Sequence, residues 1–214
     1  MILDDLWQFL EKAVFAVPST ETLFNQYSGA DLTFDKANAN SIRRDNLKNY
    51  LSSFTQRPAI LLVGEAPGPR GCRFSGVPFT SDHQLLSNSL LFKGRQSSKG
   101  LKPYKEASAT IFWGAMRGFE CRALVWNSVP FHPHDKDKPM SIRAPSTAEI
   151  HQYIHILRGV VEALKPRQVV SIGGRAARAL CDLGVSAEPV RHPSRGGAAD
   201  FRNGMSEAFS RSTQ

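Results

Sequence analysis

The chain has 214 residues, 27 Lys and Arg against 19 Asp and Glu, and a formal net charge of +8. Hydrophobic residues make up 41% and charged residues 21%, ordinary globular usage, which excludes a disordered tail, a collagen-like repeat and a coiled coil. No apolar run approaches the roughly 18 residues of a membrane span, and Asp4 and Asp5 stand where a secretory signal carries basic residues, so a cytoplasmic setting away from membranes is expected.

Residues 3–15 place Leu3, Leu6, Trp7, Leu10, Ala13 and Val14 on one stripe, the period of an amphipathic helix. A second helix is expected over 41–54, with Ser41 as N-cap and Ile42, Leu47, Tyr50, Leu51 and Phe54 on its apolar face. Residues 1–57 are thus a helical extension packed on the core of one domain spanning 1–214. Residues 59–63 form a continuous apolar run without alternation, the pattern of a strand buried on both faces. Residues 122–126, 168–172 and 187–190 read the same way. Helices are expected between them at 83–91, at 104–117, at 146–164 behind a Ser146-x-x-Glu149 capping box, and at 174–183 ended by Gly184. Residues 198–211 make a last helix. The alternation gives an α/β fold, a three-layer αβα sandwich around a central, mainly parallel four-stranded sheet. Ligands of such sheets sit beyond the carboxyl ends of the strands. Function is therefore expected just after Val63, Trp126, Ile172 and Val190.

Charge is uneven. Residues 1–57 carry a net of −1 and residues 58–214 a net of +9. Five cations (Lys93, Arg95, Lys99, Lys102, Lys105) and no acid fall within 83–105. A positive face of this kind suits a polyanion, because each neutralised phosphate releases counterions. A solvated surface kept for solubility is the alternative. The three cysteines, Cys72, Cys121 and Cys181, include no CxxC pair, which argues against a disulfide framework and fits a reducing compartment.

Three segments follow the strands. The first, residues 64–80, holds four glycines and three prolines in seventeen residues, long for a strand-to-helix connection. It matches neither GxxxxGK[ST] nor GxGxxG. The second, Asn127-Ser128-Val129-Pro130-Phe131-His132-Pro133, puts a carboxamide at a strand end, where it offers a donor and an acceptor together, the pattern of a uracil edge. The third, Arg191-His192-Pro193-Ser194-Arg195, sets an imidazole at the mouth of the sheet, able to donate to a developing oxyanion.

Taken together these segments resemble the uracil-DNA glycosylase superfamily. Gly64-Glu65-Ala66-Pro67-Gly68 is similar to the GEAPG form of motif 1 in the thermophile-type family, Pro78-Phe79 to its PF element, and Asn127 to the Asn of its NxVKCRP segment. His192-Pro193-Ser194 is similar to motif 2, and residues 169–180 to the superfamily's strand–LG–helix. Pro69 and Arg195 lean toward the single-strand-selective branch, with its GMNPGP and HPSPR loops. The chain departs from the thermophile-type pattern in three ways. Its three cysteines cannot supply the four ligands of an iron–sulfur cluster, so no cluster, metal or other cofactor is expected. The acidic pair after GEAPG is missing, with Arg70, Gly71, Cys72 and Arg73 in its place. No leucine wedge follows HPS.

The resemblance implies a monofunctional hydrolase acting on N-glycosidic bonds of uracil or a related deaminated base in DNA, working in base excision repair as a monomer. It assigns Phe79 to stacking on the extruded base, Asn127 to its polar edge, and His192 to charge developing on the departing base. Gly64, Ala66, Pro67 and Gly68 would line the base site, with main-chain amides near Glu65 and Ala66. Glu65, with Asp82 a more distant second, would position the water. Ser194, Arg195, Lys93, Arg95 and Lys99 would hold DNA phosphates. Two other readings stand beside it: a catalytically weak nucleic-acid-binding member, suggested by the missing acids, and an α/β enzyme acting on a small phosphorylated metabolite.

Overall fold

The computed structural model describes residues 1–87 and 89–211. In chain order the helices are α1 (Asp4–Ala13), α2 (Ala39–Ser52), α3 (Cys72–Ser75), α4 (Asp82–Leu86), α5 (Ala107–Ala115), α6 (Thr147–Leu164), α7 (Gly174–Asp182) and α8 (Ala198–Arg211). The strands are β1 (Leu23–Phe24), β2 (Ile60–Gly64), β3 (Ala123–Asn127), β4 (His132–Pro133), β5 (Gln168–Ile172) and β6 (Glu188–Val190).

The apolar runs form one four-stranded sheet in the order β3-β2-β5-β6, with every pairing parallel. All five positions of β2 and of β3 are buried, because helices cover both faces, and that is why the runs show no alternation. The chain leaves β2 for β3 on one side and later builds β5 and β6 on the other. The switch point therefore lies between β2 and β5, where ligands gather in open parallel sheets. The register pairs Gly64 with Asn127 and Val63 with Ser171, so the segments leaving β2, β3 and β5 start at one level.

Several helix boundaries differ from expectation. The box at Ser146 forms as expected, and Gly184 takes φ +70 past the end of α7. Helix α2 begins earlier, at Ala39 after Asn38, so Ser41 is an exposed position inside its first turn rather than the cap. The helix expected at 83–91 stops at Leu86, where Ser87 turns extended, and Asn88 lies outside the described residues. Onward from Lys93 the backbone is satisfied by side chains instead: Asn46 accepts from the Arg95 amide and donates to the Arg95 and Ser75 carbonyls. The antiparallel β1–β4 pair and the single turn α3 went unanticipated.

Residues 1–57 do not lie on the core as an appendage; they complete it. Leu6, Leu10, Leu47 and Tyr50 share one apolar cluster with β2, β3 and α6, and the Tyr50 hydroxyl accepts from the Val125 amide. Only α1 and α2 are helical there; residues 14–38 are turns and the short β1. This stretch supplies Asp35, fully buried and bonded to two fully buried arginines, Arg43 at 2.5 Å and Arg73 at 2.9 Å. The Arg73 guanidinium also lies 4.3 Å from the Phe74 ring centroid and 4.7 Å from that of Phe24. Arg73 belongs to α3, so this network fastens the middle of the long 64–80 segment to the N-terminal third of the chain.

Removing one partner of a buried ion network strands the others without solvent. Asp35→Ala is expected to destabilise the fold by about 3–5 kcal/mol in equilibrium urea unfolding. A loss below about 1 kcal/mol would show that the two guanidiniums do not need the carboxylate.

Candidate active site

The 64–80 segment is stitched to the one leaving β3. The Ser128 amide donates to the Gly64 carbonyl at 2.8 Å, and the Val129 amide and Ser128 hydroxyl donate to the Glu65 carbonyl at 3.1 and 2.7 Å. Further along, His132 reaches the Pro67 carbonyl through Nδ1 at 2.8 Å and the Pro139 carbonyl through Nε2 at 3.1 Å. Burial holds the His132 imidazole down to about 4, so it stays neutral and donates its single N–H to one of these two carbonyls. The amides of Ala66 and Gly68 find no protein acceptor among the described residues, which leaves two donors on this wall.

Phe79 and Asn127 meet at Gly64, with His192 beside the Phe79 ring. A Cβ on Gly64 would fall 2.5 Å from the Phe79 ring and 2.8 Å from Asn127 Oδ1, so glycine alone allows both side chains to close on the strand end. Phe79 holds φ +49, a conformation costing roughly 1–3 kcal/mol for such a residue. Its turn is braced by Ser75 Oγ, which donates to the Thr80 carbonyl at 2.7 Å, and by Trp113 Nε1, which donates to Thr80 Oγ1 at 3.0 Å. One face of the Phe79 ring stacks on Phe112 at 4.6 Å and 17°. The His192 ring lies 5.7 Å from it. Asn127 is 3% exposed and its carboxamide has no hydrogen bond to any described residue, though its polar atoms are not wholly shut off from solvent. The group is therefore left for water or a ligand to pair with.

His192 Nδ1 accepts from the Ser194 amide at 3.1 Å and lies 2.8 Å from Ser194 Oγ. The remaining proton of a neutral ring therefore sits on Nε2. Burial lowers the His192 pKa from its ordinary value, against a smaller opposing pull from Glu65, so the ring is neutral through the physiological range. The ring is thus a neutral Nε2–H donor set beside the Phe79 ring.

The Gly64 wall is where a family assignment can be tested, and residues 52–209 match the model of the family described as "Uracil DNA glycosylase superfamily". The chain belongs to the uracil DNA glycosylase superfamily. A solved structure with the same fold is wild-type SMUG2 of Pedobacter heparinus, at 14% identity and a TM-score of 0.69, with 99% of this chain and 97% of that one covered. No curated protein matches. Members of the superfamily are DNA glycosylases, and the four-stranded parallel sheet flanked by helices is their fold.

The structure gives the carboxylates distinct surroundings. Glu65 Oε1 accepts from the Arg175 amide at 3.0 Å, at the amino terminus of α7, a position that favours an anion. Gly173 makes room for it, since a Cβ there would fall 2.5 Å from the same oxygen. Asp82 is fully buried and accepts from Ser98 Oγ at 2.6 Å and from the Ser97 amide at 3.4 Å; it ties the 93–105 stretch to α4 rather than facing the Gly64 wall.

One carboxylate escaped the sequence reading. Glu106, just before α5, sets its oxygens where Cβ atoms on Gly68 and Gly71 would lie, each 1.9 Å away. An acid thus returns to the part of the motif loop from which the familiar acidic pair is missing, supplied from a distant point of the chain. The available signal was that Glu106 is the only acidic residue between Asp82 and Glu120. Burial raises its pKa to about 7, a hydroxyl bond from Ser108 opposing.

The expected phosphate contacts are unequal. Arg95 is paired with Asp45, and Lys99 donates to the Leu32 carbonyl; both hold protein acceptors. Lys93 and Arg195 are exposed, with no partner for their charged heads among the described residues. Ser194 holds His192. Cys72 is buried, Cys121 and Cys181 are exposed, and all three are free thiols. Among the described residues no group of three or more His, Cys, Asp or Glu is placed to hold a metal ion, and no helix is long and apolar enough to cross a membrane.

A carboxyl whose folded pKa exceeds its unfolded value binds its proton more tightly when folded, so its contribution is present at low pH and lost as pH rises through the folded value. For Glu106 that window runs from about 4.5 to about 7. Wild type is expected to lose on the order of 3 kcal/mol of stability across it, relative to Glu106→Gln. Urea unfolding of both proteins at pH 5 and pH 8 checks this; parallel pH dependence would place the carboxyl in water.

Proposed function

We propose that this protein is a monofunctional hydrolase that releases uracil or a related deaminated base from DNA. The observation that carries the reading is the closing of Phe79 and Asn127 on Gly64, with His192 beside the Phe79 ring and the Asn127 carboxamide unbonded. An extruded base would stack on the open face of Phe79, whose other face rests on Phe112. The Asn127 carboxamide would pair with its polar edge, satisfying a group that the protein leaves bare. The free amides of Ala66 and Gly68 would add donors along the same wall.

Bond cleavage leaves negative charge on the base and positive charge on the sugar. His192 would meet the first, donating from Nε2 as a neutral ring, with Ser194 holding the opposite nitrogen. Glu65, anchored on α7, would meet the second and order the attacking water. An oxocarbenium-like sugar is electrophilic enough that water needs orientation more than deprotonation. None of these steps uses a metal or organic cofactor.

A base-release assay with uracil, hypoxanthine and xanthine in single- and double-stranded oligonucleotides tests the reading. Release of none of them, with retained salt-sensitive binding, would favour the catalytically weak member instead. His192→Ala is expected to slow single-turnover release by about 100- to 1,000-fold with little change in DNA affinity; equal loss in both would remove the electrostatic role. Asn127→Asp exchanges the amide donor for an acceptor and should alter the order of preference among the three bases; an unaltered order would take Asn127 out of the base site. The rate should fall on the acid side with a midpoint below the ordinary histidine value near 6.5, as His192 gains a second proton. That limb should vanish in His192→Gln.

A further inference from the structure

The motif loop reaches past the Gly64 wall. Its later residue Arg70 lines a cavity of about 560 Å³ together with His83, Lys102, Pro103, Tyr104 and Lys105. We propose that this cavity is a phosphodiester-binding subsite, holding the backbone of the strand whose base enters the Gly64 wall. The proposal rests on the function proposed above.

Three observations support it. First, the lining holds Arg70, Lys102, Lys105 and His83 and no acid, and none of these four side chains has a hydrogen bond or ion pair among the described residues. Like charges gathered without a counter-charge repel one another unless an anion joins them. Second, the floor is rigid. Tyr104 stacks on the fully buried Phe74 at 4.5 Å and 13°, and its carbonyl accepts from the His83 amide at 3.0 Å, which joins α4 to the 102–105 stretch. Mobile cationic heads on a fixed floor suit a backbone that must be gripped in any sequence. Third, reach is right. Six residues separate Gly64 from Arg70, at most about 21 Å of extended chain, so the cavity lies within a few nucleotides of the base.

A second cavity of about 530 Å³, lined by Lys36, Asn38, Ile42, Leu86, Gly94, Arg95 and Gln96, provides the contrast. There Lys36 donates to the Gln96 carbonyl at 2.8 Å and Arg95 is held by Asp45, so both cations already have partners. The electrostatic grip thus shifts from the Lys93–Lys99 stretch to Arg70, Lys102 and Lys105. Arg70 brings a planar fork that fits two phosphate oxygens, and the lysines bring compact charges.

The test is binding of a lesion-free single-stranded oligonucleotide, followed by fluorescence anisotropy across a salt series. Arg70→Gln/Lys102→Gln/Lys105→Gln should lower affinity on the order of 100-fold at about 0.1 M salt and flatten the log–log salt slope by about 2. Lys93→Gln/Arg95→Gln/Lys99→Gln removes the same formal charge and should do much less. Equal effects of the two triple variants, or no effect of the first, would overturn the subsite. So would competition by inorganic phosphate that the first triple variant abolishes while its DNA affinity stays at the wild-type level, since the cavity would then take small anions only. Lesion-free DNA makes this readout independent of base release, so an enzyme that frees no base still reports on the subsite.

Discussion

Asp35, shut away from water between Arg43 and Arg73, holds the long loop after β2 in place. That loop is anchored at its start by the centre of a parallel sheet and at its middle by a carboxylate from the N-terminal third. Asp31 adds a second carboxylate 3.6 Å from Arg73, and aromatic faces at Phe24 and Phe74 lie beside the Arg73 guanidinium. A loop of glycine and proline tied at two points loses little further entropy when it meets a ligand. The N-terminal residues are therefore part of the site's support, though none of them touches the Gly64 wall.

The site is assembled by exchange of volume. At Gly64, Gly68, Gly71 and Gly173 the chain gives up its own Cβ, and the space is taken by Phe79, Asn127, Glu106 and Glu65. Each exchange joins segments remote in sequence, and at each a methyl group would force the facing side chain to shift. The loop thus works as a plain surface whose chemistry is lent by other parts of the chain. Strain at Phe79, carried at φ +49 and braced by Ser75, Thr80 and Trp113, belongs to the same economy: one ring must face both Phe112 and the open side.

Strands buried on both faces announce themselves as unbroken apolar runs, and β2, β3 and most of β5 were legible for that reason, while β6 is only partly buried. The Ser146–Glu149 box was legible because its two bonds are local. Boundaries set by distant partners were not. Residues past Leu86 look helical in composition, but at Lys93 and Arg95 the side chains of Asn49 and Asn46 take up the backbone instead. Asn127 and His192 could be singled out because each stands at the end of a strand, and Phe79 because Pro78-Phe79 resembles the family's PF element. Glu106 could not, since its meaning depends on Gly68 and Gly71 lying against it across the fold. Arg95 and Lys99 look free in a basic run, and only the fold reveals Asp45 and the Leu32 carbonyl beside them.

The hydrogen bond from the Ser194 amide to His192 has a further chemical consequence. With its Nδ1 lone pair engaged and its pKa lowered by burial, the imidazole can offer a hydrogen bond from Nε2 but is a poor base toward water near neutral pH. Under the proposed chemistry the departing heterocycle leaves as its conjugate base and collects a proton afterwards from solvent. Leaving-group acidity then becomes a sieve in its own right. Heterocycles whose anions delocalise charge onto exocyclic oxygen depart readily, and amino-bearing ones such as cytosine or adenine linger on the sugar even when they reach the slot.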